Sequence, residues 1–396
     1  MLKERESNLE ALRIVSMMMV VLVHIDGASL GLPSLKGDLQ ALTSRDVWRL
    51  AVESITIIGV NCFTLISGYF GIKLRLKGVL SFLFQCVFYS VLIASLAPWL
   101  LGIEFSWKEW GESWLVLSHT DLWYVPAYFC LMLLSPLLNA GVDKLSRREF
   151  AWILGVFLLF NIWSGWWWGG SFNPTGYTVM QLILMYLIGR YIGKYIGKNI
   201  EAKENIEAKE NIEAKENIEA KEIIEAREII EAREIIGEED PRLMPRHSVE
   251  ERKHLKIKGE RRYLAMMGSG GYVAATGMVF LSSLYLEPVK AFAYNSPMVI
   301  LASVSFFILF LSFRFHSRWV NYIARSAFAV YLIHKAPEIW GNFMRPEIAA
   351  AWRELSLPAF TAAAIIITVG VYAIAVLVDP ARRWLFHFFE ERELKV

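Results

Sequence analysis

Residues 78–102 read GVLSFLFQCVFYSVLIASLAPWLLG, with no Asp, Glu, Lys, Arg or His. At about 1.5 Å per residue, a helix of this length exceeds the ~30 Å hydrocarbon core of a bilayer. Inside lipid every backbone N–H and C=O must be satisfied internally, which leaves a helix or a closed barrel. A barrel strand would alternate apolar and polar residues with period two. This run does not alternate, so it reads as a membrane-spanning helix.

Similar runs recur on both sides of it. Helices are expected near 10–30, 50–70, 122–140, 150–168, 177–196, 263–286, 297–314, 319–341 and 358–380. Together they predict an all-α integral membrane protein, a bundle of about ten transmembrane helices. Composition agrees. Apolar residues reach 55% and aromatics 14%, above the ordinary globular mix. The basic N-terminus and the apolar stretch after it resemble a signal peptide. However, Arg13 and His24 interrupt that stretch and no convincing cleavage pattern follows, so it is read as the first span. Two ionisable residues within it argue that it faces the bundle interior.

Lysine and arginine in the short loops set the expected orientation. The side holding Lys3, Arg5, Lys73, Arg75, Lys77, Lys144, Arg147, Arg148, Arg314, Arg318, Arg382, Arg383, Arg392 and Lys395 outweighs the side holding Lys36, Arg45, Arg49, Lys108, Lys290, Arg345 and Arg353. That predicts both termini inside the cell, N-in and C-in. Trp163, Trp166, Trp167 and Trp168 then fall at the outer end of the fifth helix. An interfacial aromatic belt accounts for them; a sugar-stacking platform is the alternative.

The net charge of +2 identifies no partner. No basic patch interleaved with aromatics appears, so nucleic acid is not expected. Cys62, Cys86 and Cys130 sit in apolar runs at unrelated spacings. They read as buried free thiols, with neither a disulfide framework nor a metal site.

Residues 199–234 are six hexapeptides, Asn-Ile-Glu-Ala-Lys-Glu four times and Ile-Ile-Glu-Ala-Arg-Glu twice. A six-residue period matches neither 3.5 nor 3.6, so the isoleucines form no stripe and a coiled coil is not expected. The chain divides into a first bundle part, 1–196 with helices 1–6, a cytosolic repeat insert and charged linker, 197–262, and a second bundle part with a cytosolic tail, 263–396. The insert is read as a solvated rod that can change length without touching the bundle.

Charged residues inside spans are costly and therefore candidates for function. Arg13 and His24 lie eleven positions apart, about 16 Å along a helix and about 20° around it, so they share a face at two depths. Glu10 leans to a similar side. A guanidinium suits a phosphate-bearing donor, and a histidine suits proton abstraction from a hydroxyl. The bland alternative is a snorkelling arginine and a packing histidine. His334, in Tyr331-Leu332-Ile333-His334, is expected towards the same end of the bundle as His24, as a second pocket histidine or a packing one. Ser67-Gly68 reads as a close-packing device, and Trp123-Tyr124 as belt or pocket. No Gly-x-Ser-x-Gly elbow or glycine-rich phosphate loop is present.

Taken in order, these segments resemble the acyltransferase-3 family of bacterial multi-pass membrane O-acyltransferases. The likeness rests on Leu9-Glu10-Ala11-Leu12-Arg13 with His24 completing Arg-x10-His, and on Gly59-Val60-Asn61-Cys62-Phe63 leading to Ser67-Gly68-Tyr69-Phe70. Leu122-Trp123-Tyr124, Tyr186-Leu187-Ile188-Gly189, Tyr294-Asn295-Ser296-Pro297 and Ala329-Val330-Tyr331-Leu332-Ile333-His334 follow. The resemblance implies an inner-membrane enzyme. It would move an acetyl or other short acyl group from cytosolic acyl-CoA, most simply acetyl-CoA, to a hydroxyl of a surface polysaccharide or lipid-linked glycan. By position, His24 inherits the general-base role, and Arg13 binds donor phosphates or holds the geometry. Glu10, Ser67, Trp123, Tyr331 and His334 become substrate-pocket residues, with no metal expected. Many members carry Arg-x-x-Arg after the second helix. Here Lys73, Arg75 and Lys77 stand at a different spacing, and they are the expected donor-binding cations beside Arg13. No fused hydrolase-like domain is expected. The other class that fits is a multi-pass transporter or flippase for a glycan or related solute, although no matched halves with broken helices are apparent. The oligomeric state is left open.

Overall fold

The computed structural model describes residues 7–118, 122–197 and 249–393, without the side chains of 249–260 and 389–393. The repeat segment 199–234 lies outside the described residues. Among those described, the chain is helical and contains no strand. Seven helices are long and apolar enough to cross a membrane, and Pro297–Ser312 is a shorter apolar one.

In chain order the helices begin with α1 Asn8–Val23, α2 Ser44–Thr56, α3 Gly59–Phe70, α4 Leu76–Leu101, α5 Trp107–Glu112, α6 Tyr124–Lys144, α7 Arg147–Phe160 and α8 Val179–Ile192. They continue with α9 Val249–Tyr285, α10 Pro288–Ala291, α11 Pro297–Ser312, α12 Arg318–Ala324, α13 Ala327–His334, α14 Pro337–Ile339, α15 Arg345–Glu354 and α16 Leu357–Glu393. Their ends follow local chemistry. Thr43 and Asp46 form a capping box at α2, and Ser146 and Glu149 another at α7. Gly102 closes α4 in the left-handed conformation at φ +65°.

The opening helix is the hub: α1 packs against α2, α3, α11, α12, α13 and α16. Its foot is tied down by Ser7 N–H, which donates to Phe315 O at 3.1 Å, and by Asn8 Nδ2, which donates to Phe310 O at 3.1 Å. The expectation that this span faces inward holds, with Leu12 and Val21 fully buried. Close approach needs glycine. A methyl on Gly59 would overlap the Ser16 carbonyl of α1. Gly68 of α3 and Gly189 of α8 face each other, each against the other helix's backbone, as the Ser67-Gly68 reading anticipated.

A buried amide chain welds α3, α7, α8 and the loop before α11. Gln181 Nε2 donates to Asn61 Oδ1 at 3.2 Å and to Tyr294 O at 2.8 Å. Asn161 Nδ2 donates to Gln181 Oε1 at 3.0 Å, and Asn173 Nδ2 to Asn161 Oδ1 at 2.7 Å. In lipid such amides must satisfy one another, so the chain fixes register.

Three expectations are corrected. The single helix expected over 319–341 is broken at Arg325-Ser326 and again at Lys335-Ala336. Pro337 accounts for the second break, because it disfavours helix in the residue before it. At the first, Ser326 Oγ donates to the buried Asp379 of α16, which also accepts from Tyr89, Arg382 and Arg383. Cys62 and Cys86 are buried free thiols as expected, whereas Cys130 is only half-buried. Of the tryptophans, Trp163, Trp167 and Trp168 are exposed in the manner of a belt. Trp166 is buried and donates Nε1–H to Lys290 O at 2.8 Å.

The α3–α8 contact gives a stability prediction. Gly68→Val should cost about 1–3 kcal/mol through forced separation of the two backbones. Gly155→Ala, where an added methyl meets nothing within 4 Å, should not. Heating detergent-solubilised protein and following loss of the monodisperse peak measures both. Equal melting of Gly68→Val and wild type would rule out this contact as a stabilising one.

Candidate active site

Two histidines more than three hundred residues apart in sequence meet in the bundle. His24 Nδ1 and His334 Nε2 are 2.8 Å apart, and His334 Nδ1 lies 2.6 Å from the Val330 carbonyl. A carbonyl can only accept, so His334 carries its proton on Nδ1. With both rings neutral, His334 Nε2 then accepts and His24 Nδ1 donates. His24 Nε2 is left with a free lone pair, the atom a general base needs. The chain of Val330 carbonyl, His334 and His24 therefore selects a tautomer, as a buried orienting partner does in catalytic dyads generally. Trp340 packs its ring edge-on to His24 at 5.7 Å, limiting rotation of the imidazole.

His24 sits where helix α1 changes pitch. Residues His24–Ala28 form a π-helical turn, a feature frequent at functional sites. Helix α2 clamps that turn. Arg49 Nε donates to Asp26 Oδ1 at 2.7 Å, both side chains being buried, and Arg49 Nη2 donates to the Gly31 carbonyl. Glu53, one turn further along α2, lies against Gly27, where an added methyl would stand 3.1 Å from both carboxylate oxygens.

Two cavities meet at this point and share His24, Trp123 and Tyr331 as wall. The first, about 330 Å³, runs along α1 past Val20 and Met17 to Arg13. Ser67, Phe82, Tyr124, Tyr128 and Phe328 line its sides, and Arg325, at the break between α12 and α13, adds a second cation. Arg13 Nη1 donates to Glu10 Oε2 at 2.9 Å. Glu10 is 1% exposed, whereas Arg13 keeps a quarter of its surface open, so the buried carboxylate aims the guanidinium at the cavity. Tyr128 OH and Ser67 Oγ are 3.2 Å apart across the wall. The second cavity, about 570 Å³, runs the other way, past Gly27, Ala28 and Glu53 to Ser34, Tyr177, Glu287 and Lys335. Both volumes suit small-molecule ligands.

Of the sequence-derived site residues, His24, Arg13, Ser67, Trp123 and Tyr331 thus line one cavity, with His334 and Glu10 directly behind them. Lys73, Arg75 and Lys77 do not join them. They are exposed at the start of α4 and line neither cavity. Arg325 takes the place beside Arg13 that they were expected to fill. Sequence reasoning also passed over Asp26 and Glu53, although both lie within expected spans and the cost of burying charge pointed to them. Arg49, counted among the outer loop cations, is instead buried against Asp26. It passed over Tyr128 and Tyr177 as well, since nothing in their sequence context marks a cavity wall, and Tyr294, which lines the first cavity, entered only as part of a family-like segment. Among the described residues, no group of three or more His, Cys, Asp or Glu side chains is placed to hold a metal ion.

No curated protein and no solved structure matched the chain. A family model, described as an acyltransferase domain, matches residues 6–378, which takes in every helix that lines the two cavities. This multi-pass membrane protein therefore belongs to the acyltransferase-3 family.

Proposed function

We propose that this chain transfers an acetyl or other short acyl group from cytosolic acyl-CoA to a hydroxyl of a cell-surface glycan or its lipid-linked precursor. The observation that carries the reading is the placing of one oriented histidine at the meeting point of two cavities that run towards opposite ends of the bundle. In this reading the chain crosses a bacterial inner membrane about ten times, with both termini inside. The shorter and broken segments around α8, α11 and α12–α13 complete the count. The 197–262 segment is then a cytosolic insert between the two bundle parts.

The arginine-lined cavity opens to the cytosol in this orientation. Arg13 and Arg325 meet the donor's phosphates, and its flexible arm runs along α1 to bring the thioester to His24. The acceptor hydroxyl enters from the other cavity. His24 Nε2 takes its proton as the oxygen attacks the thioester carbonyl. The tetrahedral intermediate collapses, the carbon–sulfur bond breaks, and His24 gives its proton to the leaving thiolate, which departs as the thiol and restores the base. His334 holds the imidazolium in place through the same hydrogen bond that set its tautomer. Direct transfer of this kind needs donor and acceptor at His24 together, and two cavities with a shared wall permit that.

The deciding experiment compares O-acylation of envelope glycan in cells lacking the gene, complemented with wild type or variants at matched membrane levels. His24→Ala should lower the rate by about 10²–10⁴-fold, the worth of a general base. Restoration of full acylation by His24→Ala would refute the mechanism.

His334→Ala should cost roughly 10–100-fold, as loss of partners that orient a histidine does. The loss should fall on kcat, leaving the KM for acyl-CoA near wild type. An unchanged kcat would mean that His334 only packs.

Arg13→Lys should raise the KM for acyl-CoA by about tenfold or more, because an ammonium cannot hold Glu10 and face the cavity as a guanidinium fork does. A wild-type KM would remove Arg13 from donor binding.

Deleting 199–234 should leave acyl transfer nearly intact in the same assay. Loss of activity would give the repeat a role that its sequence does not disclose.

A further inference from the structure

The second cavity contains a carboxylate with no assigned work. Glu53 is 3% exposed, forms part of the cavity wall, and its Oε2 has no hydrogen-bond partner. Among the described residues it makes no ion pair. The nearby cation is taken, since Arg49 is committed to Asp26 and the Gly31 carbonyl. A buried carboxylate oxygen without a donor is costly, and inside a membrane more so. Its placing on the same wall as His24 calls for a ligand that brings donors.

The rest of the cavity defines which donors fit. Ser34, Glu287 and Lys335 ring the end away from His24 with both donors and acceptors. Tyr177, about half exposed, presents a ring backed by Trp123 at 5.0 Å and Tyr294 at 4.7 Å. A ligand with several hydroxyls on one edge and a C–H face on the other satisfies this wall. A fatty chain does not, because it would leave Glu53 without a donor, and neither does an anion, because it would bring Glu53 another acceptor in place of a donor.

Building on the acyl-transfer reading, we infer that this second cavity is the acceptor subsite. Glu53 is its specificity-determining carboxylate, accepting hydrogen bonds from a carbohydrate's hydroxyls while the ring packs on Tyr177. Glu53 takes no part in the bond-making step. It holds a hydroxyl next to the one that His24 deprotonates.

The test uses the full-length protein in lipid nanodiscs, with acetyl-CoA as donor. The acceptor probe is envelope glycan stripped of its O-acyl groups by mild alkali, polymeric and lipid-linked fractions together. Glu53→Gln keeps an oxygen for the Gly27 backbone but replaces Oε2 with a donor. It should raise the KM for the glycan by about tenfold, as expected for the loss of a buried hydrogen bond, with the KM for acetyl-CoA unchanged. A second variant covers poor folding of the first. Ala28→Trp, at an exposed cavity position, should raise the glycan KM in the same selective way. If wild type transfers acetyl and either variant, folded, shows a wild-type glycan KM, the subsite assignment is wrong and the acyltransferase reading survives. If wild type transfers nothing from acetyl-CoA, the parent reading fails and the subsite with it.

Discussion

The hydrogen bond between His24 and His334 is the constraint around which the bundle is arranged. It joins the opening helix to a helix fragment 310 residues later, and it means something chemically only if both rings are held still. Burial does part of the holding, since His334 is fully enclosed. The Val330 carbonyl, one turn back on α13, does the rest by fixing the proton on Nδ1. A carbonyl oxygen has two lone pairs, so Val330 O can accept from the His334 ring while it keeps its place in the helix ladder.

The irregular backbone concentrates around this pair. The π turn at His24–Ala28, the gap at Ile57-Ile58 and the breaks at Arg325-Ser326 and Lys335-Ala336 all border a cavity or the elements that clamp it. Backbone groups freed at membrane depth are tolerated only where protein or a polar cavity satisfies them. Ser29 Oγ donates to the His24 carbonyl at 2.9 Å, and Ser326 is met by Asp379. Asp379 in turn is held by Arg382 at 2.7 Å, so the turn presenting Arg325 rests on a buried ion pair and not on helix propensity. Glycines at Gly59, Gly68 and Gly189 let α1, α3 and α8 press together around this irregular centre.

Much of this was legible in the sequence, and the gaps have physical causes. Long apolar runs such as 78–102 dictate helices, because lipid offers the backbone no other partner. Arg13 and His24 stood out because ionisable groups in a span need a reason, and Arg-x10-His lies on one face by helical geometry alone. That His334 lies towards the same end of the bundle as His24 follows from the sequence, but their contact does not, since it depends on two helices coming together from opposite ends of the chain. The continuous helix expected over 319–341 failed because hydropathy does not register a side chain such as Asp379 capturing Ser326 from another helix. Lys73, Arg75 and Lys77 line neither cavity, and basic character near a span end serves orientation as readily as ligand binding. Asp26 and Glu53 were under-read. They satisfied the same criterion as His24 but lay near expected span ends, where charge is cheaper.

Charge placement along α1 and α2 supplies the last step of synthesis. Two buried carboxylates of the opening span each have a guanidinium: Glu10 holds Arg13 at the first cavity, and Asp26, next to the Gly27 that lines the second, holds Arg49. Arg13 nonetheless keeps open surface towards its cavity, so that cavity is positive in effect and suited to an anionic donor. Beyond His24 the arrangement differs: Arg49 is spent on Asp26, so Glu53 makes no ion pair among the described residues, whereas Glu287 is paired with Lys36 and Lys335 adds a cation to the same wall. In the proposed reaction an anionic donor would be attracted to the Arg13 side of the histidine, while Glu53 on the other side would favour a neutral polyol. The field on the two sides of His24 would then sort two chemically different substrates, and sorting requires no moving gate, only that the charges be buried deeply enough to escape screening.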